Sequence, residues 1–132
     1  MDCIFCKMIN NEISCAKVWE DEKFLVFLDI MPINPGHILL IPKNHNEDIF
    51  KLKDGLYNEI FKTAKKLSEP LKKVTNAKRV GMIIEGFGVD HSHIHLVPLY
   101  KERELIHERA KKASEDELKQ MQLKLVEVFK II

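Results

Sequence analysis

The chain has 132 residues, 45% of them hydrophobic and 31% charged, the balance of a soluble globular protein with one real core. Its 21 Lys and Arg against 20 Asp and Glu leave a net charge of +1, which excludes the strongly basic footprint of a nucleic-acid-polymer binder. No apolar run approaches the ~18 residues of a membrane span. The opening Met-Asp-Cys-Ile-Phe-Cys lacks the basic start and apolar stretch of a signal peptide. Three cysteines, an odd number, argue against a disulfide framework and for a cytoplasmic chain with reduced thiols.

Residues 3–10 carry Ile4, Phe5, Met8 and Ile9 at helical spacing, and Asn10-Asn11 marks a break. Lys17 to Glu20 and Phe24 to Asp29 predict two short strands around the polar turn Asp21-Glu22-Lys23. After the loop signals Pro32 and Pro35-Gly36, residues 37–42 predict a buried strand that Pro42 ends. Apolar residues at 56, 60, 61, 64, 67, 71 and 74 predict a long amphipathic helix, with Pro70 expected to kink or interrupt it near its end. Arg79 to Glu85 predicts another strand, and the tight segment Gly86-Phe87-Gly88 leads from it to His91. A short connection favours an antiparallel pair there. Residues 101–113 read as a charged loop, with His107 solvated. Ser114 to Glu117 forms a capping box that opens a C-terminal helix, roughly 114–130, with the stripe Leu118, Met121, Leu125, Val128 or Phe129, and Ile132. The fold class is α+β, one domain over residues 1–132 around an antiparallel sheet.

The chemistry concentrates at 91–98, His-Ser-His-Ile-His-Leu-Val-Pro. On a strand, facing repeats every two residues, so His91, His93 and His95 share one face while Ser92, Ile94 and Leu96 take the other. Stability does not need three imidazoles in a row. They suit nucleophilic chemistry, phosphate binding or metal ligation, and paired histidines on strands also bind catalytic zinc. Asp29 ends an apolar strand and needs solvent or a partner, so it reads as functional. Cys3 and Cys6 lie one helical turn apart and can share one ion, although zinc wants four ligands. Otherwise they are buried free thiols, as assumed for Cys15.

These residues resemble the histidine triad (HIT) superfamily. Its signature, His-φ-His-φ-His-φ-φ with φ apolar, matches His91 to Val97 with Ser92 as the single departure. Residues 4–9, 27–30, 35–37 and 41–45 look like the family's other blocks in the same order, so the resemblance covers roughly residues 2–100. It implies a HIT-like fold: a five-stranded antiparallel sheet with a long central helix, paired into a homodimer. It implies a hydrolase that cleaves the α-phosphate of a purine nucleotide from an amide, ester or anhydride. His93 would attack phosphorus, forming a nucleotidyl-histidine that water cleaves, and His95 would donate to a phosphate oxygen. Ile4, Phe5, Phe27, Leu28, Asp29 and Ile30 would hold the nucleoside, with Asp29 on the ribose hydroxyls and Gly86, Phe87 and Gly88 near the phosphate. A structural zinc would take Cys3, Cys6, His45 and His91, and no organic cofactor is implied. His37 matches a family position that orients the loop or the triad, or touches substrate.

The stretch Glu85 to Asp90 is shorter than in the Hint branch and lacks that branch's asparagine and serine. The missing serine leaves open how a leaving amine is protonated, and the short loop is compatible with hydrolysis of dinucleoside polyphosphates, as in the Fhit branch, the alternative reading. Glu85 is left as a candidate for the ribose. A nucleotide-binding sensor with little turnover, or a hydrolase with zinc at the triad, are the competing readings. The expected partner is a small purine nucleotide, with no nucleic acid polymer and no membrane.

Overall fold

The computed structural model describes residues 2–132. The elements run α1 (Ile4–Ile9), β1 (Lys17–Glu20), β2 (Phe24–Leu28), β3 (Ile38–Pro42), α2 (Asp54–Thr75), β4 (Arg79–Ile83), β5 (Ile94–Leu99) and α3 (Glu115–Phe129). Single 3-10 turns lie at Ile49–Lys51 and His107–Arg109. The strands form one five-stranded sheet in the order β1-β2-β3-β5-β4, and every neighbouring pair is antiparallel. The class read from the sequence, α+β on an antiparallel sheet, is therefore the class observed.

Side-chain alternation divides the sheet into two faces. Phe24, Val26 and Leu28 of β2, Ile38 and Leu40 of β3, and Ile94 and Leu96 of β5 join Ile60, Leu67 and Leu71 of α2 in the larger core. Leu125 and Phe129 of α3, both fully buried, complete it. The intervening residues Leu25, Phe27, Leu39 and Ile41 point the other way and pack with Phe5 of α1. One face thus carries the long helices. The other carries only the short α1, which leaves room for a site.

α3 begins as read: Ser114 Oγ accepts the Glu117 N–H at 3.1 Å, and Glu117 Oε1 accepts the Ser114 N–H at 3.0 Å. Three expectations fail. α2 is not interrupted, since Pro70 lies inside a helix that continues to Thr75. The carbonyl that loses its partner there belongs to exposed Lys66, where water can replace the missing N–H. β4 stops at Ile83 rather than Glu85, and β5 starts only at Ile94. His91 and His93 therefore precede the strand. Their backbone is committed elsewhere: the His91 N–H donates to Val89 O at 2.9 Å and the Ser92 N–H to Asn46 O at 2.6 Å.

Residues 101–113 are not a free loop. Buried Glu104 accepts the backbone N–H groups of Tyr100 and Lys101 on Oε1. Downstream, the Ala113 N–H donates to Ile30 O at 3.0 Å. Pinned at both ends, this segment lays His107 against the sheet face that carries α1. Gly36 is required where it stands: it holds φ +91°, and a Cβ there would lie 2.8 Å from Thr75 Cγ2.

Candidate active site and metal-ligand cluster

The three triad rings do share a face, although only His95 lies on a strand. Phe5 of α1 meets His91 and His93 edge-on at 5.8 and 5.4 Å, and His93 meets His95 at 5.1 Å. Ile94 and Leu96 enter the opposite core, as alternation requires.

Cys3, Cys6, His45 and His91 converge. One ligand atom from each lies within 4.8 Å of the others. His91 Nδ1 is 3.4 Å from Cys3 Sγ and 3.6 Å from Cys6 Sγ, and His45 Nδ1 is 3.3 Å from Cys6 Sγ and 3.2 Å from His91 Nδ1. A tetrahedron with metal bonds of about 2.3 Å to sulfur and about 2.0 Å to nitrogen has edges of roughly 3.3–3.8 Å. The donor set therefore fits a four-coordinate metal in kind and in spacing. The proton on His91 is placed for this role. Its Nε2–H donates to Pro42 O at 2.7 Å, so Nδ1 keeps its lone pair for the cluster. Burial, the main cause, lowers the His91 pKa and keeps the ring neutral.

Hydrogen bonds also fix the protons of the other histidines. His37 Nδ1 accepts the Ile33 N–H at 3.0 Å, so Nε2 carries the proton. That proton is donated to His95 Nδ1 at 2.9 Å. His95 Nδ1 being an acceptor, its Nε2 is the N–H. Burial, followed by the nearby His107, lowers the His37 pKa to about 4. Burial, followed by His37, lowers that of His95 to about 3. Both rings are neutral at pH 7, as the chain of single donors requires. Asp29 completes this group: Oδ2 lies 3.5 Å from His37 Nε2 and 3.9 Å from His95 Nδ1, and Oδ1 accepts the Met31 N–H at 2.8 Å. Asp29, His37 and His95 are close enough to suggest a second metal site. However, His37 has both ring nitrogens engaged in hydrogen bonds, which argues for a relay.

His93 lies between the two groups. Its Nδ1–H donates to the His91 carbonyl at 2.7 Å, which in the neutral ring puts the lone pair on Nε2. His93 and His95 line an open cavity of about 770 Å³ with Ile4, Phe5, Phe27 and Asp29. Leu28, Ile30, Phe87 and Gly88 also line it. So every residue expected to bind the nucleotide lines this cavity except Gly86, which lines a neighbouring one. Leu28 is mainly a core residue, since its side chain belongs to the helix-side cluster. Gly86 and Gly88 hold φ of +85° and +88°, and a Cβ on either would meet nothing within 4 Å. Their conformation, not a close approach, explains glycine there.

His107 is exposed, as read, but its contacts went unread. Its ring packs edge-on against His95 at 5.5 Å, and Nε2 lies 3.3 Å from Glu85 Oε2. Both residues line the same cavity. No periodicity marks His107, which stands in a run of charged residues. Cys15 also lines this cavity, so the assumption of a buried thiol is corrected to a half-buried one at its wall.

A family model described as HIT domain matches residues 10–102. The chain belongs to the HIT domain family. An uncharacterized HIT-like protein of Methanocaldococcus jannaschii is 43% identical over 107 residues, 75% of this chain and 80% of that protein. The adenosine 5'-monophosphoramidase of Candida albicans is 38% identical over 73% of this chain and 69% of its own length. Among solved structures, a zinc-bound histidine triad family protein from Mycobacterium smegmatis superposes with a TM-score of 0.81 at 25% identity. That match covers 100% of this chain and 99% of the other.

Proposed function

We propose that this HIT protein is a nucleotidyl hydrolase that cleaves the α-phosphate of a purine nucleotide from its leaving group through a nucleotidyl-histidine at His93. The observation that carries the reading is the 2.7 Å bond from His93 Nδ1–H to the His91 carbonyl, which leaves a neutral Nε2 lone pair beside an apolar cavity. Ile4, Phe5, Phe27 and Ile30 supply walls for the base, and Asp29 can accept from two ribose hydroxyls. Nε2 attacks phosphorus. The bond from phosphorus to the leaving group breaks, and the departing atom keeps the electron pair and takes a proton from solvent. The His95 Nε2–H, its tautomer set by His37, donates to a phosphate oxygen as charge builds there. Water then attacks phosphorus, the bond to Nε2 breaks, and the nucleoside monophosphate leaves. The activity of the phosphoramidase relative supports this reading.

The cluster of Cys3, Cys6, His45 and His91 holds zinc in this reading. When bound, the ion would crosslink α1, the segment after β3 and the approach to β5, and no reaction step passes through it. The zinc-bound relative supports the choice of metal. The protein works in the cytoplasm and as a homodimer, the pairing supported by β4, an edge strand that exposes Met82 beside α2. Sedimentation showing only monomer at micromolar concentration contradicts the dimer.

The deciding experiment is mass spectrometry after a brief incubation with adenosine 5'-phosphoramidate and rapid quenching. The expected result is an acid-labile gain of one adenylyl group on the wild type and none on His93→Ala. Full turnover by His93→Ala contradicts the reading.

A further inference from the structure

The chain has six histidines, and five of them are committed. His45 and His91 face the metal-ligand cluster, His93 holds the nucleophile, and His37 and His95 share one hydrogen bond. His95 keeps its single proton on Nε2. Burial, then His37, lowers its pKa to about 3, so it gains no second proton near neutral pH. Yet the reaction moves a proton twice. The leaving atom must gain one, and the attacking water must lose one. His107 is the histidine left at the cavity.

Its place there is built from both sides. Two residues before it, Leu105 packs on β4 at Gly81, where a Cβ would lie 2.9 Å from Leu105 Cδ2. Two residues after it, Arg109 donates from Nη1 to Glu104 O at 2.8 Å and from Nη2 to Asn34 Oδ1 at 3.2 Å. Between these anchors a single turn, closed by the Ala110 N–H on His107 O at 2.9 Å, sets the His107 ring 5.5 Å from that of His95. Glu85, from the stretch after β4, brings Oε2 to 3.3 Å from His107 Nε2. Among the described residues, no hydrogen bond engages His107 Nδ1. A carboxylate on one imidazole nitrogen fixes the ring and leaves the other nitrogen to exchange a proton, as in the Asp-His pairs of acyl transfer. Asp29 and Glu108 line the same cavity, and His37 lies behind His95.

We propose that His107 is the general acid and base of the reaction, with Glu85 as its positioning residue. The inference rests on the hydrolase reading and deepens it, putting His107 where that reading has solvent. In the first step His93 Nε2 bonds to phosphorus and the bond to the leaving atom breaks. The leaving atom keeps the electron pair and takes the Nδ1 proton of the His107 imidazolium, while Nε2–H stays on Glu85. In the second step the neutral Nδ1 takes a proton from water as the water oxygen bonds to phosphorus. The bond from phosphorus to His93 breaks, and His93 recovers its lone pair. His107 ends the cycle protonated, as it began.

The test compares two substrates that differ in their need for a proton: the 4-nitrophenyl ester of adenosine 5'-phosphate and the adenosine 5'-phosphoramidate of butylamine. The nitrophenolate departs without a proton, and the amine does not. In His107→Gln, which can hydrogen-bond but cannot exchange a proton, the initial burst of nitrophenolate should keep its rate within about threefold. Steady turnover of the ester should fall roughly 100-fold, with adenylyl-His93 accumulating in mass spectra. Adenylylation by the phosphoramidate should also fall roughly 100-fold. Glu85→Gln should show the same pattern at about tenfold. Both side chains are about half exposed, 46% for His107 and 49% for Glu85, so neither change opens the core. A loss that does not depend on the leaving group, or steady ester turnover that His107→Gln leaves intact, overturns the inference while the hydrolase stands. A wild type that forms no adenylyl-His93 from either substrate overturns the hydrolase reading and this inference together.

Discussion

Two histidine-rich groups flank His93, and they use the same side chain in opposite ways. At Cys3, Cys6, His45 and His91 the donor atoms face one another with lone pairs converging, His91 Nδ1 lying 3.2–3.6 Å from three neighbours. At Ile33, His37 and His95 each nitrogen is assigned as donor or acceptor in turn, ending on the His95 Nε2–H. What separates them is the backbone group at the far nitrogen. A carbonyl, Pro42 O, takes the proton of His91 outward, away from the cluster. An N–H, that of Ile33, pushes the proton of His37 inward, toward the substrate side. One imidazole thus turns a lone pair toward the cluster, and another passes its proton to His95.

The comparison breaks most visibly if the metal is removed. Cys6→Ser, or a chelator, should lower the melting temperature by ten degrees or more, because a structural metal contributes its binding energy to folding. Turnover at low temperature should fall much less, since His93 and His95 take no bond from the ion. Immediate loss of turnover with the fold intact would falsify this division and favour a catalytic metal.

His37→Leu should act on the other group alone. It removes the donor to His95 Nδ1, so the tautomer that presents Nε2–H is no longer fixed, and kcat should fall roughly 10- to 100-fold. His37→Gln offers both an acceptor and a donor and should recover much of that loss. Metal content should stay at one ion in both variants. If instead His37→Leu empties the metal site, the two groups are not independent.

Acid should separate them more gently. The folded pKa values of His37 and His95 are lowered to about 4 and about 3, below the usual value of 6.5. Between those limits the unfolded chain binds more protons than the folded one, so stability is full above pH 6.5 and is lost as pH falls toward 4. At pH 5 the loss is on the order of 2 kcal/mol for each histidine. Melting curves in chelator, compared at pH 7 and 5, isolate it from metal release. A flat profile contradicts the buried neutral pair.

Much of this was legible in the chain. The stripe from Leu56 to Val74, the Ser114 to Glu117 box and the alternation around Ile94 and Leu96 each state one local preference that packing then respects. The spacing of Cys3 and Cys6 and the resemblance at His45 and His91 named four residues whose ligand atoms do converge. That the strand starts only at Ile94 and not at His91 was not legible, because where a ladder begins depends on its partner, and β4 ends at Ile83. Nor was the relay, since nothing in the order of residues says that the Ile33 N–H will meet His37 Nδ1. His107 was invisible for a related reason: the anchors that place it, Glu104 on the Tyr100 and Lys101 amides and Ala113 on Ile30, are tertiary contacts.

Backbone groups set the proton on His37, His91 and His93, and His37 sets that on His95, before substrate arrives. Long-range nitrogen–proton correlation NMR on protein labelled with ¹⁵N-imidazole, at pH 7 and loaded with zinc, tests it most directly. The account predicts neutral rings, with the proton on Nδ1 of His93 and on Nε2 of His37, His91 and His95. A proton on His93 Nε2, or on His95 Nδ1, would contradict it, because the first removes the nucleophile and the second removes the donor.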